Sequence, residues 1–142
     1  MLRAVTIGVS LGGLPFIVSH VVEDFSDGTA PVGPALLGAF LAVQMLGLVL
    51  VGSGRRPGWL ITLVAGIVWV AGALADHGPA LIRGSGDRGA VSIVWLAGLI
   101  VSQASAAILA YHGWRTSGKP STSAPPDRPG ASPATHTCRP RR

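Results

Sequence analysis

Two short segments hold the residues best placed to do chemistry: FIVSHVVEDF at positions 16–25 and LADHG at positions 74–78. Each closes a long apolar run with a histidine and one or two carboxylates. His20, Glu23 and Asp24 stand at i, i+3 and i+4, which puts all three on one face if the helix continues through Asp24. Asp76 and His77 close the later run in the same way. Two imidazoles with two or three carboxylates suit Zn²⁺, Cu²⁺ or Fe²⁺. Carboxylates not used as ligands can orient the imidazole rings.

The same residues admit other chemistries. His20 and His77 could ligate a haem from its two sides, with Arg83 and Arg88 pairing its propionates, if two helices face each other across the macrocycle. The cluster could also act as a general acid/base pair on a lipid or quinone at the membrane surface. The plainest account is electrostatic. Acids at a helix C-terminus oppose the dipole at a cost of about 0.3–1 kcal/mol each, and Arg83 and Arg88 could offset them. Arginine pairing does not account for the histidines, whereas a single metal site shared by His20 and His77 accounts for both.

Little else in the chain points to chemistry. HExxH and CxxC spacings are absent, as are a Walker loop, a glycine fingerprint after a strand, and a Ser/His/Asp set. His112 reads as an interfacial residue reaching toward water. His136 and Cys138 offer two ligands in a stretch with no means of holding them in place. Cys138 is the single cysteine, so an intrachain disulfide is excluded.

These residues must be positioned by membrane helices. Of 142 residues 49% are hydrophobic and 12% charged, against about 25% charged in an ordinary soluble domain. The mean hydropathy is +0.52. Four apolar runs, about 4–22, 34–51, 58–75 and 90–112, have no Asp, Glu, Lys or Arg in their interiors. Crossing a hydrocarbon core of about 30 Å takes about 20 such residues, and in lipid the backbone must satisfy its own hydrogen bonds. The expected fold is all-α, an integral membrane bundle of four transmembrane helices over residues 1–115. The first run also resembles a signal peptide. Its cleavage candidate, Gly28-Thr29-Ala30, lies beyond three acids and before Pro31, so the run is expected to remain a span.

Orientation follows from the basic residues. Nine of the eleven, including Arg3, Arg55, Arg56 and Arg115, fall on one side of such a bundle; Arg83 and Arg88 fall on the other, with five of the six acids. The basic side is cytoplasmic by the positive-inside rule. The expected setting is a bacterial plasma membrane, with both termini inside and both His/acid segments facing out. Trp59, Tyr111 and Trp114 should then sit at the inner interface, with Phe25 and Trp95 at the outer one. Residues 116–142 hold six of the eleven prolines with Ser, Thr and no apolar periodicity. Such a segment cannot offset its ordering entropy and is expected to be a disordered cytoplasmic tail.

Helices in lipid associate through close packing and hydrogen bonds rather than hydrophobicity. Gly8-x-x-x-Gly12 with Gly13 beside it, and Ala71-x-x-x-Ala75 with Gly72, are the candidate contact strips, and Gln44 and Gln103 are expected to meet inside the bundle. The expected partners are the bilayer and a membrane protein or second copy of the chain. Nucleic acid is excluded despite a pI near 11.1, because the basic residues are too scattered to form a face. The functional expectation is a small non-enzymatic accessory or sensing protein with an outward His/carboxylate pocket for a transition metal. An interfacial enzyme or haem-carrying redox protein is the competing class.

Overall fold

The computed structural model describes residues 1–30, 32–83 and 90–118. They form four helices and, among the described residues, no strand: α1 (Leu2–Ser26), α2 (Pro34–Gly52), α3 (Arg56–Arg83) and α4 (Ala90–Thr116). At 1.5 Å per residue, the 19 residues of α2 reach about 28 Å and the 25 of α1 about 38 Å. All four are long and apolar enough to cross a membrane, and the fold is an all-α membrane bundle.

Glycine ends the first two helices. Gly28 and Gly54 adopt positive φ, 66° and 78°, just beyond the helical caps, where a side chain would be strained. The chain then folds back: Thr29 N–H reaches the Asp24 carbonyl at 2.9 Å, and Arg55 N–H reaches that of Leu50 at 2.8 Å. This is the Schellman closure, which satisfies carbonyls the helix leaves open. Pro34 starts α2 at a position that needs no backbone donor.

The helices run past the apolar stretches. The difference is largest in α3, which continues through Pro79 to Arg83 instead of stopping near residue 75. Hydropathy falls where Asp76 and His77 begin, but the backbone has no reason to unwind there. Pro79 removes one donor without breaking the helix. Asp76 and His77 are therefore interior helical residues rather than a helix end. At the other end of the domain α4 includes Thr116, and residues 119–142, most of the expected tail, lie outside the described residues.

The bundle is polar within and apolar without. Thr6, Ser10, His20, Asp24, Gln44, Thr62, His77, Ser92 and Gln103 are buried, while Val49, Ile67, Val91 and Val101 are more than half exposed. Water would penalise that much exposed apolar surface. A lipid solvent favours it, because polar side chains must face inward.

Three seams close the bundle, and each has glycine at the contact. A Cβ on Gly13 would lie 2.6 Å from Ser102 Oγ across the α1/α4 seam. One on Gly47 would lie 2.8 Å from Ile61 across α2/α3, and one on Gly66 2.8 Å from the Gln103 carbonyl across α3/α4. The fourth seam, α1/α2, is sparse, and neither diagonal pair packs directly. Of the strips expected to make contacts, Gly13 does so and the rest do not. Gly8, Gly12 and Gly72 face open space, and Ala71 and Ala75 are exposed. Trp59, in the first turn of α3, is turned into the bundle. It is 3% exposed and packs where Gly113 leaves α4 without a side chain.

Side chains bridge both diagonals. Gln44 Nε2 of α2 donates to Gln103 Oε1 of α4 at 3.0 Å, and Trp69 Nε1 donates to Gln44 Oε1 at 2.7 Å. Gln44 thus uses both ends of its amide. Gln44→Leu and Gln103→Leu should couple in a double-mutant cycle by about 0.6–2 kcal/mol. Additive losses of stability would show that the bridge contributes nothing as a pair.

Candidate metal centre

Helical periodicity sets up the site. Thr6, Ser10, Gly13, Ile17, His20 and Asp24 are the buried residues of α1, spaced by threes and fours so that they form one inward stripe. His20 and Asp24 are its last two members, one turn apart. His77 enters from α3, diagonally opposite, and lies one turn beyond the buried Ala73, whose small side chain leaves the centre open. Ile17, Ala73, Leu96 and Leu99 form an apolar cluster on the membrane side of the site.

Three donor atoms converge there. His20 Nε2 and His77 Nε2 are 2.9 Å apart, their rings edge to face at 72°. His20 Nε2 is also 3.4 Å from Asp24 Oδ2. One ligand atom from each of the three residues lies within 4.8 Å of the other two, and each residue is under 10% exposed. Zn–N bonds of 2.0–2.1 Å put two ligands of one tetrahedral ion roughly 3.3–3.4 Å apart. The spacings of 2.9 and 3.4 Å from His20 Nε2 lie near that value. Without an ion, one imidazole donates its Nε2–H to the other's lone pair.

The approach of both neighbours to Nε2 is a poor arrangement for a proton relay through His20. A relay through His20 would enter at one ring nitrogen and leave at the other. Here both neighbours approach Nε2, and Nδ1 has no hydrogen-bond partner among the described residues. A haem between the rings fits poorly. Its two axial nitrogens would stand about 4 Å apart with the macrocycle between them, and a 2.9 Å gap leaves no space for it.

The remaining sequence candidates occupy different positions. Glu23 is turned toward α4, where Ser92 Oγ donates to its Oε2 at 3.0 Å. It ties α1 to α4 rather than joining the cluster. Asp76 is exposed on the wall of the adjacent cavity and is not among the three converging residues. The side chain of Arg83, and all of Arg88, lie outside the described residues. Gln44 and Gln103 are inside the bundle, as described above.

Two contributors are not evident from residue type. Thr29 Oγ1 donates to Asp24 Oδ1 at 3.4 Å, so the fold-back that caps α1 also steadies the carboxylate. Gly28 followed by Thr29 was the available signal, since a Schellman closure returns that residue to the third-last helical position. Ser92, one of three serines on an apolar helix, gave no signal of its own. Beside the cluster, a cavity of about 340 Å³ opens between α1, α2 and α3, lined by His20, Asp24 and Asp76 and otherwise mainly by apolar residues such as Phe40 and Trp69. No family model matches the chain, and no curated protein or solved structure matches it.

Proposed function

We propose that this is a small multi-pass protein of a bacterial plasma membrane, an accessory or sensing component rather than an enzyme, that binds a divalent transition metal through His20, His77 and Asp24. The observation that supports the reading is the convergence of His20 Nε2, His77 Nε2 and Asp24 Oδ2 in a buried diagonal of the bundle. Two imidazoles and one carboxylate are a borderline-soft set, suited to Zn²⁺, Cu²⁺ or Fe²⁺ rather than Mg²⁺ or Ca²⁺. They leave one position open on a tetrahedral ion. The Thr29 hydroxyl supplies the outer support that ligating carboxylates ordinarily have. The charge asymmetry of the chain supports an outward-facing site.

Elemental analysis of the detergent-purified protein tests the reading. About one zinc, copper or iron per chain is expected, released by a strong chelator and restored by adding the metal. On intact cells, a membrane-impermeant chelator should strip the ion. Protein that cannot be loaded with any of the three metals would overturn the metal reading. Stripping from inverted vesicles but not from intact cells would instead reverse the orientation.

A further inference from the structure

We infer that the end of the bundle opposite the metal centre holds an anionic phospholipid, its phosphate taken by Arg56 and Arg115 and an acyl chain lying along the α3/α4 seam. The inference is independent of the metal reading. Four arginines gather at this end, Arg3, Arg55, Arg56 and Arg115, and all are exposed. The described acids, Glu23, Asp24, Asp27 and Asp76, belong to the other end, and none of the four arginines forms an ion pair among the described residues. The fold itself gives Arg115 a use, since a cation in the last turn of α4 complements the helix dipole. For Arg56 the dipole works the other way. It is the first residue of α3, in a first turn that has no acid, where a cation is disfavoured. An anion bound beside it removes that penalty.

Each of the two guanidinium groups lies over an aromatic ring of α4. Arg56 Cζ is 5.8 Å from the centre of the Trp114 ring, and Arg115 Cζ is 5.6 Å from that of Tyr111. Arg56 Nη2 also comes within 2.7 Å of where a Cβ of Gly118 would lie. Tyr111, Trp114, Arg115 and Gly118 follow one another by threes and fours and share one face of α4, so Arg56 meets that face on both sides of Arg115. A ring uses the flat side of a guanidinium and leaves its in-plane N–H donors for other partners. Two such forks at one helix end suit the oxygens of a phosphate, and basic pockets between membrane helices bind lipid headgroups. The surface below them suits the tails. From Arg56 the half-exposed Leu60, Val64 and Ile67 lead into the span, and from Arg115 Tyr111 and Ile108 do the same. Between these lines Gly66, Ala104 and Ala107 leave an apolar groove of about 370 Å³, which receives the far end of an acyl chain. A soluble phosphate would leave that surface unused. A choline headgroup brings its own cation, which the arginines repel, so the fitting lipid carries net negative charge.

The test is native mass spectrometry of the full-length protein released from nanodiscs of phosphatidylglycerol and phosphatidylcholine in equal parts. Retention of one phosphatidylglycerol per chain is expected, about tenfold in preference to phosphatidylcholine, the equivalent of one charged hydrogen bond. Arg56→Lys with Arg115→Lys keeps the charge that sets orientation but loses the planar forks, and the preference should fall to about threefold or less. Arg56→Gln with Arg115→Gln should abolish it. Arg3→Gln with Arg55→Gln, at the same end of the bundle, should leave it unchanged, and inorganic phosphate in large excess should not displace the lipid. Four results would overturn the inference: no preference in wild type, full preference in either Arg56/Arg115 pair, an equal loss in the Arg3/Arg55 pair, or displacement by inorganic phosphate. Zinc loading of the Arg56/Arg115 variants should match wild type, so failure here and failure of the metal reading are told apart.

Discussion

His77→Ala should lower zinc affinity by about a hundredfold or more, and His20→Ala should do the same. Loss of an outer-shell partner alone typically costs 10–100-fold, and each of these changes removes a direct donor, leaving two. Asp24→Asn should weaken binding by a comparable factor, because it removes the one anionic ligand 3.4 Å from His20 Nε2. Glu23→Gln and Asp76→Asn should bind zinc nearly as wild type. Glu23 is engaged by Ser92, and Asp76 is not among the converging donors. Competition against a chelator of known affinity measures all five. Thermal unfolding supplies a check independent of any change in folding. Zinc at 100 times its dissociation constant should stabilise wild type by about 2.7 kcal/mol and each histidine variant by almost nothing. Acidification should release the ion, since protons compete for the same imidazole lone pairs. Undiminished binding in both histidine variants, or loss in Glu23→Gln with retention in His77→Ala, would place the ion elsewhere.

The second large effect concerns stability. Gly13→Leu should destabilise the bundle by about 1–3 kcal/mol, the usual cost of forcing extra atoms into a packed contact. Its Cβ alone would lie 2.6 Å from Ser102 Oγ and 2.8 Å from Gln103 Nε2. The helices would have to separate at the level of the glutamine bridge, so the substitution should also loosen Gln44 from Gln103. Gly8→Leu and Gly12→Leu should cost nothing measurable, because both positions face open space. Denaturant titration in mixed micelles separates the three. A large loss at Gly12 with none at Gly13 would mean that α1 is rotated about its axis relative to the packing described here.

Those glycines also show where sequence stops being informative. Four spans are legible because hydropathy averages over long windows and does not depend on which face of a helix meets which neighbour. The turn from His20 to Asp24 is legible too, since helical spacing alone puts them together. Choosing the packing face is another matter. With 20 glycines in the chain, small residues at four-residue spacing arise on lipid-facing strips as readily as on buried ones. Facing of the two histidines was reached from charges expected at two helix ends. That argument suits Asp24, in the last turn of α1, but not Asp76, because α3 continues seven residues beyond it. The cavity depends on the distance between α1 and α2, which neither helix encodes by itself.

Seen end on, the bundle is a four-post frame joined firmly along three sides and loosely along the fourth. Such a frame racks: its posts can lean and its open side can gape while every firm joint holds. Two cross-braces oppose this, set at different heights. The histidine pair ties α1 to α3 near one end, and the glutamine pair ties α2 to α4 deeper within. Cutting one brace should therefore free one storey and leave the other rigid. Loss of the imidazole contact would let the end of α1 swing away from α2 about a pivot at Gly13, widening the open side without unfolding the bundle. An ion that replaces a single shared proton with two metal–nitrogen bonds would stiffen that joint, turning metal occupancy into a mechanical property of one end of the molecule.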